Sequence, residues 1–546
     1  MFFRRSATKE KTQEDSHPSD PSLLDGTLGH QSFRTNTYVG ATSFPSRLLL
    51  ELIPDDPLSA YQPAISGSEI RCVGKHGHFV ITSDKHDVVD AQQSLLDQIE
   101  DAISPHGPHL VELYFRVVHP SYPVLHKDVL LEKYSRSYRK LTPACLTAVY
   151  MVAMGWWSFS VELAHAPKPD VGALNGLVPA LMAFDKRTKL VAAAEEVGLH
   201  RDCSAWQIPA WERGVRRRVA WAVFVQDKWG ALVHGRPSHI QVKNWDVLPL
   251  QQSDFPEALD DDDDEQGSSE VERGVLIFIY MTTLSQILSD IIEELFTVEA
   301  SNRNHSTAEL LSIVKPIQLR LKEWYSLLPP CLDLSATRSK KLSATGQLYL
   351  AYLTVEVTLH RAILESEAQQ PLNAELRQIT REAAIMRFKS VIEFLKLLQP
   401  QHMQAFWHFA SEPSLAIITT FSLVLLATSR ASAESAEIYS LIVEYRWLLN
   451  INGPGAAFTK TAVDILQANA AFLSSFRSGG AQISGRNATS DPHNRRTDGP
   501  ARPELTPERI QETIGLAPFN PELGGATRSD SPSLSGLAFT PSDLWF

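Results

Sequence analysis

From about residue 90 to residue 476 the apolar side chains recur at three- and four-residue spacings, and this periodicity dictates a body built of helices. Leu95, Leu96 and Ile99 begin the pattern. Leu110, Leu113, Tyr114 and Val117 continue it, followed by Leu130, Leu131 and Tyr134. The same period covers about 141–164, 179–197, 209–233, 271–297, 308–328, 343–368, 374–398, 408–430, 434–451 and 456–476. Strand and helix never alternate, so a parallel sheet with a nucleotide crevice has no support. His119-Pro120 and Tyr122-Pro123 interrupt the helices, because a proline disfavours helical geometry in the residue before it. The exception to the period is I-R-C-V-G-K-H-G-H-F-V-I at 70–81, two β-favouring runs around a Gly/His turn. It predicts one short hairpin that leans on the helices, since two strands alone are marginal.

The expected fold class is therefore all-α, a multi-helix domain with a disordered tail at each end and that one hairpin. Residues 1–45 are rich in Ser, Thr, Asp and Pro and read as a tail; 46–104 read as a linker holding the hairpin. The helical domain is expected over 105–476, interrupted by an acidic loop at 251–271. Five consecutive aspartates in that loop repel one another, and its Gly-Ser-Ser context predicts a solvated linker rather than a Mg²⁺ site. A second break is expected between Asp333 and Gly346. Residues 477–546, rich in Gly, Ser, Pro, Arg and Asn, read as the second tail.

Charge and cysteine content narrow the class further. With 51 basic and 63 acidic residues the formal charge is −12, which counts against coating nucleic acid by bulk charge. Cys72, Cys145, Cys203 and Cys331 are too scattered for a disulfide scaffold, and a reducing intracellular compartment is expected. The start MFFRRSATKEK lacks the apolar stretch of a signal peptide, and the longest smooth apolar run, Leu415 to Ala427, is short for a membrane span. It reads as a buried helix.

No nucleophile elbow, His-Glu-x-x-His helix or phosphate loop is present, so the chain reads as a non-enzyme with no catalytic residue. Near-misses are Gly453-Pro454-Gly455, read as a helix-helix turn, and Cys72, His76, His78 and His86, four candidate zinc ligands in a spacing that matches no common structural site. Five of the eleven tryptophans, 206, 211, 221, 229 and 245, crowd one segment. Trp211, Val215 and Val219 share one stripe of a helix, and Trp221, Val225 and Trp229 another, which predicts packing. Arg213, Arg216, Arg217 and Arg218 are then left for the remaining face. Asp227 and Arg236, on either side of a Gly235 turn, are expected to form a bidentate pair.

This segment is similar to the middle homology region of fungal zinc-cluster transcription factors. Gly198-Leu199-His200-Arg201-Asp202, Arg216-Arg217-Arg218-Val219-Ala220-Trp221, Gln226-Asp227-Lys228-Trp229 and Gly235-Arg236-Pro237-Ser238-His239-Ile240 carry the resemblance. The stretches 110–134 and 348–364 extend it to about 105–475, and within the family the likeness is to regulators of nitrogen-source use. The resemblance implies a nuclear, all-helical regulatory domain, with Gly198, Leu199, His200, Arg217, Arg218, Trp221, Asp227, Trp229, Gly235, Arg236 and Pro237 as signature positions. Family members read DNA through six clustered cysteines holding two zinc ions. This chain has four scattered ones, so no cofactor is expected in it, and DNA is expected to be reached through another factor, or through a zinc cluster lying upstream of Met1 if the gene is cut short. The stretch Lys168–Leu190 is short for the family.

The expected function is regulation of nutrient-metabolism genes, in nitrogen, carbon or xenobiotic use, through other transcription factors or coactivators, without a membrane. The alternative from another class is a small-molecule sensor or enzyme using a pocket beside Trp229, His234 and Arg236. In the last residues, Phe539, Leu544, Trp545 and Phe546 in a mildly acidic context form a candidate activation segment.

Overall fold

A computed structural model describes residues 24, 26–29, 33–39, 68–74, 77–170, 172, 174, 190–256, 267–303, 305–336, 340–452, 457–471 and 473–474. The five-aspartate run, His76, Gly453-Pro454-Gly455, most of the Lys168–Leu190 stretch and the candidate activation segment lie outside the described residues.

Helices form where the period requires them. α1 (His86–Ile103) buries Leu95, Leu96, Ile99 and Ile103. α2 (Gly107–Leu113) continues into a wider π turn, Tyr114–Val118, which ends at His119-Pro120 as expected. α3 (Lys127–Arg136) follows the second break, and α4 (Pro143–Ala153) starts at a Thr142 cap with proline in its first turn. Short α5 (Val161–Ala164) and α6 (Leu190–Glu196) lead to α7 (Ala210–His234), which stops at Gly235 in the left-handed conformation. α8 (Val271–Leu295), α9 (Val298–Asn302) and α10 (Thr307–Ser326, with a Ser306/Glu309 capping box) come next. The carboxy-terminal set is α11 (Thr345–Gln369), α12 (Ala374–Leu397), α13 (Pro400–Met403), α14 (Ser411–Ala427), α15 (Ser432–Asn452) and α16 (Lys460–Ala468).

The expected hairpin is present as β2 (Ser68–Cys72) and β3 (His78–Ser83), with Ile70 opposite Val80 and Cys72 opposite His78. A third strand is an addition to that expectation. β1 (Arg34–Tyr38), from the stretch read as tail, pairs antiparallel with the other edge of β3. Its backbone groups gain a ladder there, and Tyr38 packs edge-on against Phe79.

Two apolar cores divide the body. The amino-terminal core gathers α1, α2 and α4 with Val215, Val219, Trp221, Val275 and Phe278; the carboxy-terminal core gathers α10 to α16 with Val225, Trp229, Ile277, Leu284 and Leu288. α7 and α8 thus pass through both and pack on each other, which makes them the spine of the molecule. α8 is long and apolar enough to cross a membrane, but 67% of its most apolar window is buried inside the body. The run Leu415–Ala427 lies in α14, whose Leu415, Ile418, Phe421 and Leu425 are fully buried.

Candidate functional site

Of the signature residues, Gly198, Leu199, His200, Arg217, Arg218 and Trp221 lie on or before the first half of α7, and Asp227, Trp229, Gly235, Arg236 and Pro237 lie on its second half and the turn that follows; where the chain enters the helix it meets the small sheet. Glu212, in the first turn, is fully buried, and its carboxylate accepts the backbone N–H groups of Leu28 (3.0 and 3.1 Å) and Gly29 (3.1 Å). The segment so held is fastened twice more. Asn36 Nδ2 donates to the Leu28 carbonyl, and the Arg71 guanidinium donates to the Gly26 and Thr27 carbonyls. Burial pushes the Glu212 carboxyl above its usual range, against the pull of Arg216. Arg216, also buried, sits 4.8 Å from the Trp206 ring centre and 5.7 Å from that of Phe79, and donates to the Val197 carbonyl. Burial lowers its pKa.

The four arginines therefore do not occupy a solvent-facing side of the helix, which corrects the sequence expectation. Arg213 donates to the carbonyls of Trp206 and Ile208. Arg217 pairs with buried Asp254 and reaches Ser204. Fully buried Arg218 lies 5.2 Å from the ring centre of Phe255. The physical reason is reach: a guanidinium on a long stem crosses the helix edge to find carbonyls, carboxylates and ring faces that a helical period cannot reveal.

The Gly198-to-Asp202 motif forms the facing wall. Gly198 has φ +71°, and a Cβ there would lie 3.0 Å from the Tyr38 ring, so both conformation and space call for glycine. Leu199 is buried, and His200 stands edge-on to Tyr38 at 5.3 Å. Arg201 pairs with Asp246 at 3.2 Å, while Asp246 Oδ1 accepts from the Asp202 N–H and its own N–H donates to the His200 carbonyl. The tryptophans pack as predicted: Trp206, Trp221 and Trp229 are buried, with Trp221 donating to the Leu248 carbonyl and Trp229 to Ser285.

Asp227 does fix the turn after α7, but not through Arg236. Its buried carboxylate accepts from the Ser238 hydroxyl (2.6 Å) and from the N–H groups of His239 (2.9 Å) and Ile240 (3.1 Å), with Lys228 Nζ at 3.7 Å. Lys228 in turn donates to Ser238 and to the Ile240 carbonyl. Arg236 and Pro237 are exposed, because Gly235 swings the chain outward before it returns at Ser238. His234 and Arg236 are exposed, whereas Trp229 is fully buried.

Of the candidate zinc ligands, Cys72 and His78 are cross-strand partners in the hairpin, and His76 lies outside the described residues. Cys72 is exposed, His78 is buried, and His86 faces solvent beside Asp90. Among the described residues no group of three or more His, Cys, Asp or Glu is placed to hold a metal. Sequence reasoning missed Glu212, Asp246, Asp254 and Ser238. Only Glu212 left a signal, an acid in the first turn after Pro-x-Trp, and that position also suits a helix N-terminus for ordinary reasons. The site offers buried charge satisfied by carbonyls, amides and ring faces; its chemistry is cross-linking of chain segments.

Residues 188–326 match the fungal specific transcription factor domain. The chain is 34% identical over 485 residues to the transcriptional activator protein DAL81 of Saccharomyces cerevisiae, covering 77% of this chain and 49% of that one. It is 26% identical to the acetamidase regulatory protein of Aspergillus fumigatus, over 53% of this chain and 39% of that one. With cutinase transcription factor 1 alpha of Fusarium vanettenii it shares 23% identity, over 52% and 34%. The chain spans about half the length, or less, of these curated relatives. No solved structure matches it.

Proposed function

The chain carries the fungal transcription factor middle homology region, and from that premise we propose that it is a nuclear regulator of nutrient-metabolism genes whose helical body receives partners while another segment or factor reads DNA. The observation that supports this division of labour is the fate of the arginines on α7: Arg213, Arg216 and Arg217 are spent on carbonyls and a carboxylate inside the body, and Arg218 is buried against Phe255. Phosphate binding needs cations free to displace counterions, and the densest basic cluster of this helix is not free. A net charge of −12 points the same way. The relatives' names, an activator and regulators of acetamidase and cutinase, favour nitrogen- and carbon-source genes as targets. We assign the regulatory role to 105–476 and the contact with coactivators to 521–546, where Leu534, Leu537, Phe539, Leu544, Trp545 and Phe546 stand among Asp530 and Asp543.

The test is to fuse the full chain to an unrelated DNA-binding domain and measure a reporter carrying that domain's site. Activation that falls on deletion of 521–546 is the expected result. In parallel, the purified chain alone is titrated with promoter DNA from genes that respond to it, at about 0.15 M salt, where local charge clusters still act over ~8 Å. Sequence-specific binding by the unaided chain would overturn the division of labour.

A further inference from the structure

α15 joins the carboxy-terminal core through Ile438, Ile442, Tyr445, Leu448 and Leu449, and α12 runs beside it in the same direction along one rim, tied by Arg381 to Glu434, Lys389 to Glu437 (2.7 Å) and Lys396 to Glu444 (2.8 Å). The side of α15 that points away from the core is not charged. Ala433, Ala436, Ser440, Val443, Trp447 and Ile451 follow one another at three- and four-residue steps and are all exposed, Trp447 by 61%. Their sizes are sorted. The first three are small and the last three large, so the stripe is a shelf in its amino-terminal half and a ridge in its carboxy-terminal half. On the rim away from α12 lie half-buried Tyr439 and exposed Arg446, and Arg446 forms no ion pair among the described residues. Exposed apolar side chains in a row mark binding surfaces, and Trp, Tyr and Arg are the residues that carry most of the energy in such surfaces.

We propose that this stripe is the contact between two copies of the chain, with α15 packed antiparallel on α15 of the second copy. A surface that is small at one end and large at the other complements itself only when one copy is reversed, which is what a two-fold axis perpendicular to the helix does. With the axis crossing α15 between Ile442 and Val443, Ile451 stands over Ala433 of the second copy, Trp447 drops between its Ala436 and Ser440, and the two Val443 side chains meet at the axis. Large side chains entering gaps above small ones is the geometry of packed helices whose axes lie about 8–10 Å apart. An antiparallel pair also brings like rims together. Arg446 then lies level with the Tyr439 ring of the second copy, a cation–π partner. On the other rim Glu437 and Glu444 already hold Lys389 and Lys396, so the approach brings no unpaired carboxylates together. A foreign helix would cover the ridge or the shelf; a reversed copy of the same stripe fills both with residues the chain already carries. Two tryptophans and four branched side chains place the contact near ~1,200 Å², the lower end for specific complexes, and micromolar affinity is expected. A paired body presents each of its surfaces twice, so a factor that bridges it to DNA is held by two tethered contacts instead of one.

Sedimentation velocity of the full chain from about 0.5 to about 50 μM spans the expected dissociation constant. The expected result is a monomer–dimer equilibrium whose Kd rises at least ten-fold in Trp447→Ala and in Ala436→Trp. The two changes in one chain restore it to within about three-fold of the unaltered protein, because tryptophan and alanine then exchange places across the axis. Both positions are exposed, so the fold survives either change. Val443→Cys under mild oxidation gives a disulfide joining residue 443 of one copy to residue 443 of the other, located by mass spectrometry. Asn450→Cys gives none, since fifteen residues at 1.5 Å set it about 22 Å from its mate along the helix. A monomer at every concentration overturns the proposal, as does a dimer unmoved by Trp447→Ala or a double variant as weak as the single ones. Oxidation that links 450 to 450 and not 443 to 443 overturns it too, since another register would then hold the dimer.

Discussion

Around the first half of α7 the segments are joined chiefly by buried charge; around α11, α12, α14 and α15 they are joined chiefly by apolar side chains, with buried Arg381, which donates to Glu434, Thr428 and the Leu425 carbonyl, as a charged exception. Glu212 fastens Leu28 and Gly29 from 184 and 183 residues away, and Arg217 reaches Asp254. In the carboxy-terminal half several buried hydroxyls bond within one turn of their own helix: Thr354 to the Leu350 carbonyl, Thr358 to that of Thr354, Thr419 to that of Leu415. Lys389–Glu437 and Lys396–Glu444 bridge the outside, half exposed. The lesson concerns the signature positions. A regular bundle holds itself by area, whereas loops and a small sheet have too little area to bury and are fixed by a few directional bonds that tolerate no loss.

Acid should separate the two halves most strongly. Burial lowers the pKa of His360 to about 4, His402 to about 4 and His408 to about 3, all in the carboxy-terminal half. A histidine whose folded pKa lies below its unfolded value of about 6.5 leaves stability intact above that pH and withdraws it as pH falls toward the folded value. Glu212 and Glu356, raised by burial, act in the opposite sense, favouring the folded state as pH falls from their raised values toward the usual carboxyl range. Urea midpoints measured from pH 7 down to pH 4 should therefore fall steeply, and His408→Phe should flatten the slope. An unchanged slope would show that His408 is hydrated.

Breaking the Arg217–Asp254 pair by Arg217→Ala should cost about 3–5 kcal/mol, because Asp254 is left buried and charged. A loss below about 1 kcal/mol, read from the urea midpoint, would put that pair on a par with exposed bridges. Phe421→Ala, at a fully buried position of α14, is expected to cost about 3–5 kcal/mol by cavity formation, with an unchanged denaturant slope.

Asp227→Asn should lower stability by about 1–3 kcal/mol, since an amide nitrogen would face the donors that the second carboxylate oxygen accepts, whereas Arg236→Ala should change it by less than about 0.5 kcal/mol. Equal effects would restore the Asp227–Arg236 pairing. Last, Lys396→Ala removes two half-exposed partners, Glu393 and Glu444, and should cost under about 1 kcal/mol and less still in 1 M salt.

Local pattern by itself determined the helical class, the positions of most helices and the stop at His119-Pro120, because these depend on side chains three or four residues apart and on proline's fixed geometry. It determined the hairpin around 70–81 through β-branched runs flanking a turn, and the burial of Trp221 and Trp229 through their shared stripe. Only the tertiary structure decided that Arg34–Tyr38 becomes a strand, since its partner Phe79 to Ser83 is supplied some forty residues later. It alone decided that Asp227 takes Ser238, His239 and Ile240 instead of Arg236, and that four arginines turn inward. The stripe of Val443, Trp447 and Ile451 reads in sequence like any core-facing stripe, and only the packing of the opposite side of α15 leaves it in solvent. Helical period fixes which residues share a face; which face is covered, and which distant amide or carbonyl satisfies a buried charge, depends on segments that meet only after the chain has folded.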